Sequence, residues 1–256
     1  MKQNLHTHTT RCGHAYGDEE EYIRKAIEGG LDVLGFSEHA PHIYPDDFMS
    51  KSHMQVADLP GYAETVKRLS KEYTGQIQIL LGSEIEYYPA LFKDTVQRLM
   101  DAGIEYLILG QHWIENQVGL PYLGRPTDDP YVLKQYCRQA KDGMQTGLMT
   151  YFCHPDVINF QADAKLYEQE LRQLCREANS CNLPIEYNLW GIHKGGNYPN
   201  DRFWRIAAEE NCKVVIGVDA HAPEILANKE LFTQAESYIQ CLGMELLEKY
   251  PVRRLQ

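Results

Sequence analysis

Histidines and carboxylates recur in short motifs along this chain, and these residue types bind divalent metal ions. Seven of the ten histidines and two carboxylates stand in such motifs, among them His6-Thr7-His8 and Asp219-Ala220-His221. In an extended segment, side chains two residues apart point the same way, so each pair can share one ion. Mixed imidazole and carboxylate ligands suit Zn²⁺, Mn²⁺ or Fe²⁺ rather than Ca²⁺. The motifs therefore predict a transition-metal site.

The motifs follow short apolar runs that have the composition of buried β-strands. The predicted strands are Lys2–Leu5, Val33–Phe36, Ile77–Leu81, Tyr106–Leu109, Met149–Cys153, Ile185–Tyr187 and Val214–Val218. Amphipathic stretches lie between them and predict helices over Glu19–Glu28, Leu59–Glu72, Leu91–Asp101, Asp129–Thr146, Tyr167–Asn179, Asp201–Glu210 and Asn228–Gln240. Apolar strands that alternate with helices indicate a parallel sheet covered on both faces. Seven β/α units favour a barrel, and an open doubly wound sheet is the alternative.

The position of the potential ligands relative to these strands is the most informative feature of the sequence. Loops at the carboxyl ends of parallel strands converge on one face of the fold. Six of the seven predicted strands deliver a histidine, glutamate or aspartate to that face. The candidate metal ligands are His6, His8, His14, His39, Glu84, His112, His154, Asp219 and His221. A lone histidine usually has a surface or hydrogen-bonding role, whereas the joint pattern predicts a site for several metal ions.

Three further histidines, His42, His53 and His193, lack such placement, and we assign them to substrate contact or solvent. The net charge of −11 argues against binding to long nucleic acid or to an anionic membrane. No apolar run approaches the roughly 18 residues that cross a bilayer. The seven scattered cysteines and the polar N-terminus indicate reduced thiols in a cytoplasmic protein. The sequence leaves the oligomeric state open.

Taken in order, the motifs resemble those of the PHP (polymerase and histidinol phosphatase) family over nearly the whole chain. The resemblance implies an α/β fold, a distorted (β/α)7 TIM-like barrel with its metal site at the C-terminal ends of the strands. It also implies one domain over residues 1–256 and two or three divalent metal ions, Zn, Mn or Fe. By this resemblance, the first metal would be held by His6, His8, Glu84 and Asp219. Glu84 would bridge to a second metal at His112 and His154, and the third would lie between His14, His39 and His221.

Within that family, the chain looks most like the stand-alone histidinol-phosphate phosphatases. The motifs concerned are Cys12-Gly13-His14-Ala15, Ser37-Glu38-His39-Ala40-Pro41 and Ile185-Glu186-Tyr187-Asn188. The resemblance implies hydrolysis of L-histidinol phosphate in histidine biosynthesis. The alternative is a phosphoesterase that acts on another small phosphate ester, a nucleotide or a short oligonucleotide. A metal sensor or scaffold is a third interpretation, which the complete ligand set disfavours.

The arginines with which those phosphatases commonly hold phosphate are missing from this chain. The stretch Pro155–Phe160 contains no base, and the expected Gly-Leu-Arg is replaced by Gly191-Ile192-His193-Lys194. We therefore assign phosphate and substrate contacts to Lys194, Arg202, Arg11 and Trp190.

Hydrolysis also needs an acid for the leaving group and a pocket for the organic part of the substrate. The catalytic roles are assigned to Glu84, Asp219 and His221, with Asp219 or a nearby histidine protonating the leaving alkoxide. By loop position, the candidates for an acidic, aromatic substrate pocket are Glu38, Tyr44, Asp46, Tyr87 and Trp190.

Overall fold

The structure, a computed structural model, describes residues 2–255 and is built on a parallel sheet that curls into a distorted barrel. Eight strands follow one another in sheet order as they do in the chain. They are β1 (Gln3–Asn4), β2 (Val33–Phe36), β3 (Gln78–Ile85), β4 (Tyr106–Leu109), β5 (Met149–Phe152), β6 (Ile185–Asn188), β7 (Lys213–Gly217) and β8 (Glu245–Leu246). All seven predicted strands are present, so the predicted TIM-like fold class is confirmed.

The barrel closes between its first and seventh strands at their carboxyl ends. The His8 amide donates to the Ala220 carbonyl at 3.0 Å, and the Ala220 amide donates to the His6 carbonyl at 3.2 Å. The short strand β8, which the sequence analysis did not predict, pairs with the opposite, amino end of β7. This closure places the His-Thr-His motif beside the Asp-Ala-His motif.

Helices cover the outside of the sheet. They are α1 (Glu19–Gly29), α2 (Leu59–Glu72), α3 (Phe92–Ala102), α4 (Pro130–Gln145), α5 (Ala164–Ser180), α6 (Leu189–Lys194), α7 (Asp201–Glu209) and α8 (Lys229–Cys241). Seven of them match the predicted amphipathic stretches, and the six-residue α6 was not predicted. No helix within residues 2–255 is long and apolar enough to cross a membrane.

Two hydrophobic clusters form the core. The larger one lies between the helices and the outer face of the sheet, and its members include Phe36, Leu109 and Trp204. The smaller one gathers side chains such as Tyr106 and Tyr151. The Tyr106 hydroxyl donates to the carbonyl of Leu5 at 2.9 Å, one residue before the first metal-ligand candidate. Packing thus fixes the strand ends from which the site is built.

Candidate metal centre

The structure brings all nine predicted ligand residues together at the carboxyl end of the barrel. Eight of these side chains are buried, and His14 is exposed at the rim. Two of the nine have backbone in the left-handed region, His154 with φ 27° and Asp219 with φ 51°. Residues other than glycine rarely adopt this conformation, and strain of this kind concentrates at functional sites.

Glu84, at the end of β3, lies between two groups of histidines. Its Oε1 atom lies 2.9 Å from Nε2 of His154 and 3.4 Å from Nε2 of His112. Its Oε2 atom lies 3.4 Å from Nε2 of His6 and 3.5 Å from Nε2 of His8. One carboxylate therefore presents a different oxygen to each group, as a carboxylate that bridges two cations does.

Asp219 completes the group around His6 and His8. Its Oδ1 atom lies 3.1 Å from Nε2 of His8 and 3.4 Å from Nε2 of His6. Its Oδ2 atom accepts a hydrogen bond from Nδ2 of Asn188 at 3.1 Å. Asp219 thus has one oxygen directed at the ligand group and the other held by the end of β6.

A third group of histidines adjoins the first. Nε2 of His14 lies 2.9 Å from Nε2 of His221, and the rings of these two residues stack. One ring nitrogen each from His8, His39 and His221 lie within 4.8 Å of one another. His39 also directs Nδ1 toward Oε2 of Glu84, at 3.0 Å. The three predicted ligand groups therefore form one continuous cluster.

The cluster contains buried polar atoms that have no hydrogen-bond partner among residues 2–255. They are Nε2 of His6, Nε2 of His8, Nδ1 of His39 and Oε2 of Glu84. A buried polar atom without a partner costs free energy, so several such atoms at one place indicate a ligand-binding site. Imidazole nitrogens and carboxylate oxygens are the donors that Zn²⁺, Mn²⁺ and Fe²⁺ accept. The residues present fit divalent metal ions.

Behind these ligands lies a second layer of buried carboxylates. Each accepts a hydrogen bond from Nδ1 of one ligand histidine: Glu186 from His6 at 2.8 Å, Glu38 from His8 at 3.3 Å and Glu86 from His112 at 2.7 Å. An imidazole that donates from Nδ1 keeps Nε2 free of its proton, which is the form that binds metal. These carboxylates therefore orient the three imidazole rings so that each Nε2 atom can bind a metal ion.

Electrostatics in the cluster favour added positive charge. Burial opposes ionisation of Glu84, but the surrounding histidines, His112 and His6 foremost, hold the pKa of this carboxyl well below its usual range. Burial also opposes protonation of His8, yet the neighbouring carboxylates of Asp219 and Glu38 raise its pKa to about 9. The ionised carboxylates therefore favour a bound proton on His6, His8 and His154, and cations would replace these protons.

A cavity of about 330 Å³ opens over the ligands. Its walls beyond the ligands are four aromatic side chains, Trp113, Tyr122, Trp190 and Tyr198, with Lys51, Ser52 and Lys194. A larger groove of about 950 Å³ lies along α2 and α3 but contains none of the predicted ligands. Chemistry rather than size identifies the smaller cavity as the candidate active site.

Two of the four predicted substrate contacts line this cavity, and two do not. Lys194 and Trp190 are in its wall, with Nζ of Lys194 lying 5.6 Å from the Trp190 ring centre. Arg11 instead forms an ion pair with Glu19. The assignment of Arg11 to phosphate binding is corrected accordingly, because the acidic first turn of α1 takes up its charge.

Arg202 also lies away from the cavity. Its guanidinium lies over the Tyr167 ring, 4.2 Å from the ring centre, and donates to the Ala164 carbonyl. Its position near the start of α7 directs it toward α5 and not toward the strand ends. The assignment of Arg202 to phosphate binding is therefore also corrected.

Several other positions differ from their expectation. Of the five residues assigned to the substrate pocket by loop position, only Trp190 lines the cavity. Glu38 is buried behind His8, and Asp46 is exposed. The assignment of His42 and His53 to substrate contact or solvent is wrong, because both are buried and hydrogen-bonded to Glu86.

Sequence reasoning missed Lys51 and Ser52, which reach the cavity from the segment between β2 and α2. The available signal was the length of this segment, which begins just beyond the carboxyl end of β2. It also missed Glu86, for which the signal was a carboxylate two residues after the strand-end Glu84.

Comparison with known proteins assigns the family. The PHP domain model matches residues 4–189, most of the chain. The chain belongs to the PHP domain family. Its relatives include the histidinol-phosphatase of Bacillus subtilis, 28% identical over 86% of this chain and 94% of that protein. A probable histidinol-phosphatase of Deinococcus radiodurans is 26% identical over 85% of each chain.

A solved structure supports the same fold for this PHP protein. The histidinol phosphate phosphatase of Lactococcus lactis, complexed with zinc, L-histidinol and phosphate, superposes with a TM-score of 0.71. The match covers 97% of this chain and 96% of that one at 18% identity. At this identity the likeness concerns the fold, and the site stands on its own geometry.

Proposed function

We propose that the chain is a metal-dependent phosphatase that hydrolyses L-histidinol phosphate to L-histidinol and phosphate, a step of histidine biosynthesis. The observation that carries the proposal is the placement of Glu84, whose two oxygens face separate ligand groups below the cavity. The names of the Bacillus and Deinococcus relatives support the choice of substrate. We further propose a cytoplasmic location, which the seven free cysteines support.

Divalent cations bound by these ligands would lower the pKa of a bound water and neutralise the charge of the phosphate group. The protein's part is to hold the cations and to move protons. Burial opposes ionisation of Asp219, but the histidines around it, His6 foremost, keep the pKa of this carboxyl well below its usual range, so it begins ionised. Asp219 lines the cavity and is therefore placed to take the proton of the attacking water and to return it to the leaving alkoxide.

The cavity walls supply contacts for both ends of the substrate. Lys194 and Lys51 offer positive charge for phosphate in a chain whose net charge is −11. Trp190 and Trp113 offer flat aromatic faces on which an imidazole ring can stack. Together with the metal ligands, these side chains make a site for a small aromatic phosphate ester.

The test is kcat/KM for L-histidinol phosphate with protein reconstituted separately with Mn²⁺, Zn²⁺ and Fe²⁺. We expect a value above roughly 10⁴ M⁻¹s⁻¹ with at least one metal, within the range usual for native substrates. p-Nitrophenyl phosphate and a 5′-phosphorylated dinucleotide serve as comparison substrates. If kcat/KM for L-histidinol phosphate is far lower but p-nitrophenyl phosphate is hydrolysed, the chain is a phosphatase whose substrate is not L-histidinol phosphate. Preference for the dinucleotide would favour the nucleotide-directed alternative.

A further inference from the structure

Glu86 is fully buried directly after β3 and is surrounded by histidine side chains. Its Oε1 atom accepts hydrogen bonds from Nδ1 of His112 at 2.7 Å and from Nε2 of His53 at 2.9 Å. Its Oε2 atom accepts one from Nε2 of His42 at 3.3 Å. The three histidine donors satisfy both oxygens of Glu86 without a metal ion. We therefore interpret Glu86 as a residue that holds these histidines in place and not as a metal ligand.

Two of these rings have a hydroxyl group on the side that faces away from Glu86. Nδ1 of His42 faces the Thr95 hydroxyl at 3.1 Å, and Nδ1 of His53 faces the Ser50 hydroxyl at 2.7 Å. Each hydroxyl can donate to the ring nitrogen, which leaves the opposite nitrogen to donate to Glu86. All three histidines can therefore donate to this one carboxylate at the same time.

The same set of bonds extends into the segment that covers the site. Ser50 accepts a hydrogen bond from Nε2 of Gln117 at 3.1 Å, and Oε1 of Gln117 accepts from the Tyr44 hydroxyl at 2.6 Å. The cavity residues Lys51 and Ser52 lie directly between Ser50 and His53. Glu86 thus contacts the candidate metal ligand His112 through one hydrogen bond. Through another it contacts His53, which belongs to the segment that carries Lys51 and Ser52 to the cavity.

The other two carboxylates behind the ligands are held differently. Glu38 accepts from the backbone amides of Thr9 and His39, and Glu186 accepts from the backbone amide of His154. Within residues 2–255, every side-chain hydrogen bond of Glu86 comes from a histidine. A buried ionised carboxylate is costly where it serves packing alone, so this arrangement indicates a role in orienting the rings.

We propose that Glu86 is a positioning residue with two effects on the site. It holds the His112 ring so that Nε2 is directed toward Glu84 and the candidate metal site, and through His53 it fixes the segment that carries Lys51 over the cavity. The first effect rests on the proposed function insofar as that function requires the metal. The second concerns substrate binding and predicts a separate kinetic effect.

Glu86→Gln tests the first effect. An amide offers one accepting oxygen where the carboxylate offers two, so the three histidine donors can no longer all be satisfied. We expect the affinity for one Zn²⁺ equivalent to fall about tenfold to a hundredfold, the range seen when such outer partners are changed. Competition with a chromophoric chelator measures this affinity without any substrate. Glu105→Gln, the same change at a carboxylate bonded to Leu81 and Arg254, is the matched control and should leave zinc affinity unchanged.

His53→Ala tests the second effect and also decides the matter if the Glu86→Gln protein does not fold. We expect KM for p-nitrophenyl phosphate to rise about tenfold while zinc affinity stays within twofold of the parent. Parental zinc affinity in Glu86→Gln, or parental KM in His53→Ala, would overturn the proposal. Neither measurement uses L-histidinol phosphate, so failure of that substrate would be recognised separately.

Discussion

Gly110 lies directly against the carboxylate of Glu84, and a β-carbon on Gly110 would overlap Oε1 of that carboxylate. Gly110 follows β4, and its amide donates to the Ile85 carbonyl of the neighbouring strand at 3.1 Å. The backbone at Gly110 cannot move away from Glu84 without breaking this hydrogen bond. Glycine is therefore required at this position because the central carboxylate occupies the space of its side chain.

Gly110→Ala should displace Glu84 and weaken both ligand groups that share it. We expect kcat to fall at least a hundredfold and metal content to drop, measured by steady-state kinetics and elemental analysis. The control is Gly61→Ala, since a β-carbon at Gly61 in α2 meets nothing within 4 Å. That variant should keep full activity and gain about 0.5–1 kcal/mol of stability, because alanine favours a helix. Parental activity in Gly110→Ala would mean that Glu84 is not the shared ligand.

Asp219→Asn should remove the proton-transferring carboxylate while preserving its shape. An amide cannot take a proton from water at neutral pH, so we expect kcat to fall by about 10²–10⁴-fold. Circular dichroism and metal content should be recorded together with the kinetics, because Asp219 also lies in the first ligand group. A loss of kcat in protein that retains its metal would assign the defect to proton transfer. Near-parental turnover would contradict this role.

Removal of metal should destabilise the fold as well as abolish activity. Chelation leaves Nε2 of His6, Nε2 of His8 and Oε2 of Glu84 buried without partners. A ligand present at a thousand times its Kd contributes about 4 kcal/mol to the folded state. For a chain of this size we expect a decrease of roughly 10 °C in Tm on treatment with EDTA. Differential scanning calorimetry with and without added Zn²⁺ measures it, and an unchanged Tm would argue against tight metal binding.

The strands and the gathering of the candidate metal ligands at one end of the barrel could be predicted from the sequence, because each strand and each motif has a local signal. An apolar run shortly before His39 or His154 marks both the strand and the candidate ligand beyond it, and barrel topology brings those strand ends together. The strand Glu245–Leu246 and the helix Leu189–Lys194 are too short to show a periodicity. They therefore lay beyond prediction.

Side-chain direction explains the errors at the cavity. Lys194 and Arg202 both lie between β6 and β7, yet only Lys194 faces the cavity. The direction of the Arg202 side chain is set by the packing of α7 against α5, which no local sequence pattern shows. The burial of His53 depends in the same way on Glu86, 33 residues away in the chain.

Because Lys194 lines the cavity and Arg202 does not, substitution of each residue tests which side chain binds phosphate. Lys194→Ala should lower kcat/KM for L-histidinol phosphate about tenfold to a hundredfold, because a charge-assisted hydrogen bond contributes about 1.5–3 kcal/mol. Lys51→Ala should have an effect of the same kind. Arg202→Ala is the matched control and should change kcat/KM less than twofold, since its guanidinium lies over Tyr167. An equal loss in the Arg202 variant would show that the cavity has been assigned to the wrong side chains.

Glu210, at the end of α7, forms ion pairs with two arginines of α5. We expect the contribution of these ion pairs to the free energy of unfolding to depend on pH. The Glu210 carboxylate accepts from Arg172 at 2.8 Å and from Arg176 at 2.9 Å, and these two arginines lower the pKa of Glu210. Because the folded-state pKa is below the unfolded one, the bonds stabilise the fold above about pH 4.3 and are lost as pH falls through the folded value.

Glu210→Gln should therefore be less stable than the parent at pH 7, by about 0.5–1 kcal/mol for a partly exposed pair. The difference should shrink as pH is lowered to 4 and below, because the parental carboxylate then becomes protonated. Urea unfolding of the metal-free parent and variant at pH 7, 5 and 4 measures the difference in their free energies of unfolding at each pH. Glu168→Gln removes a more exposed partner of Arg172, 55% accessible against 14% for Glu210, and should have the smaller effect. A difference that stays constant from pH 7 to pH 4 would mean that packing, and not the ion pair, is responsible.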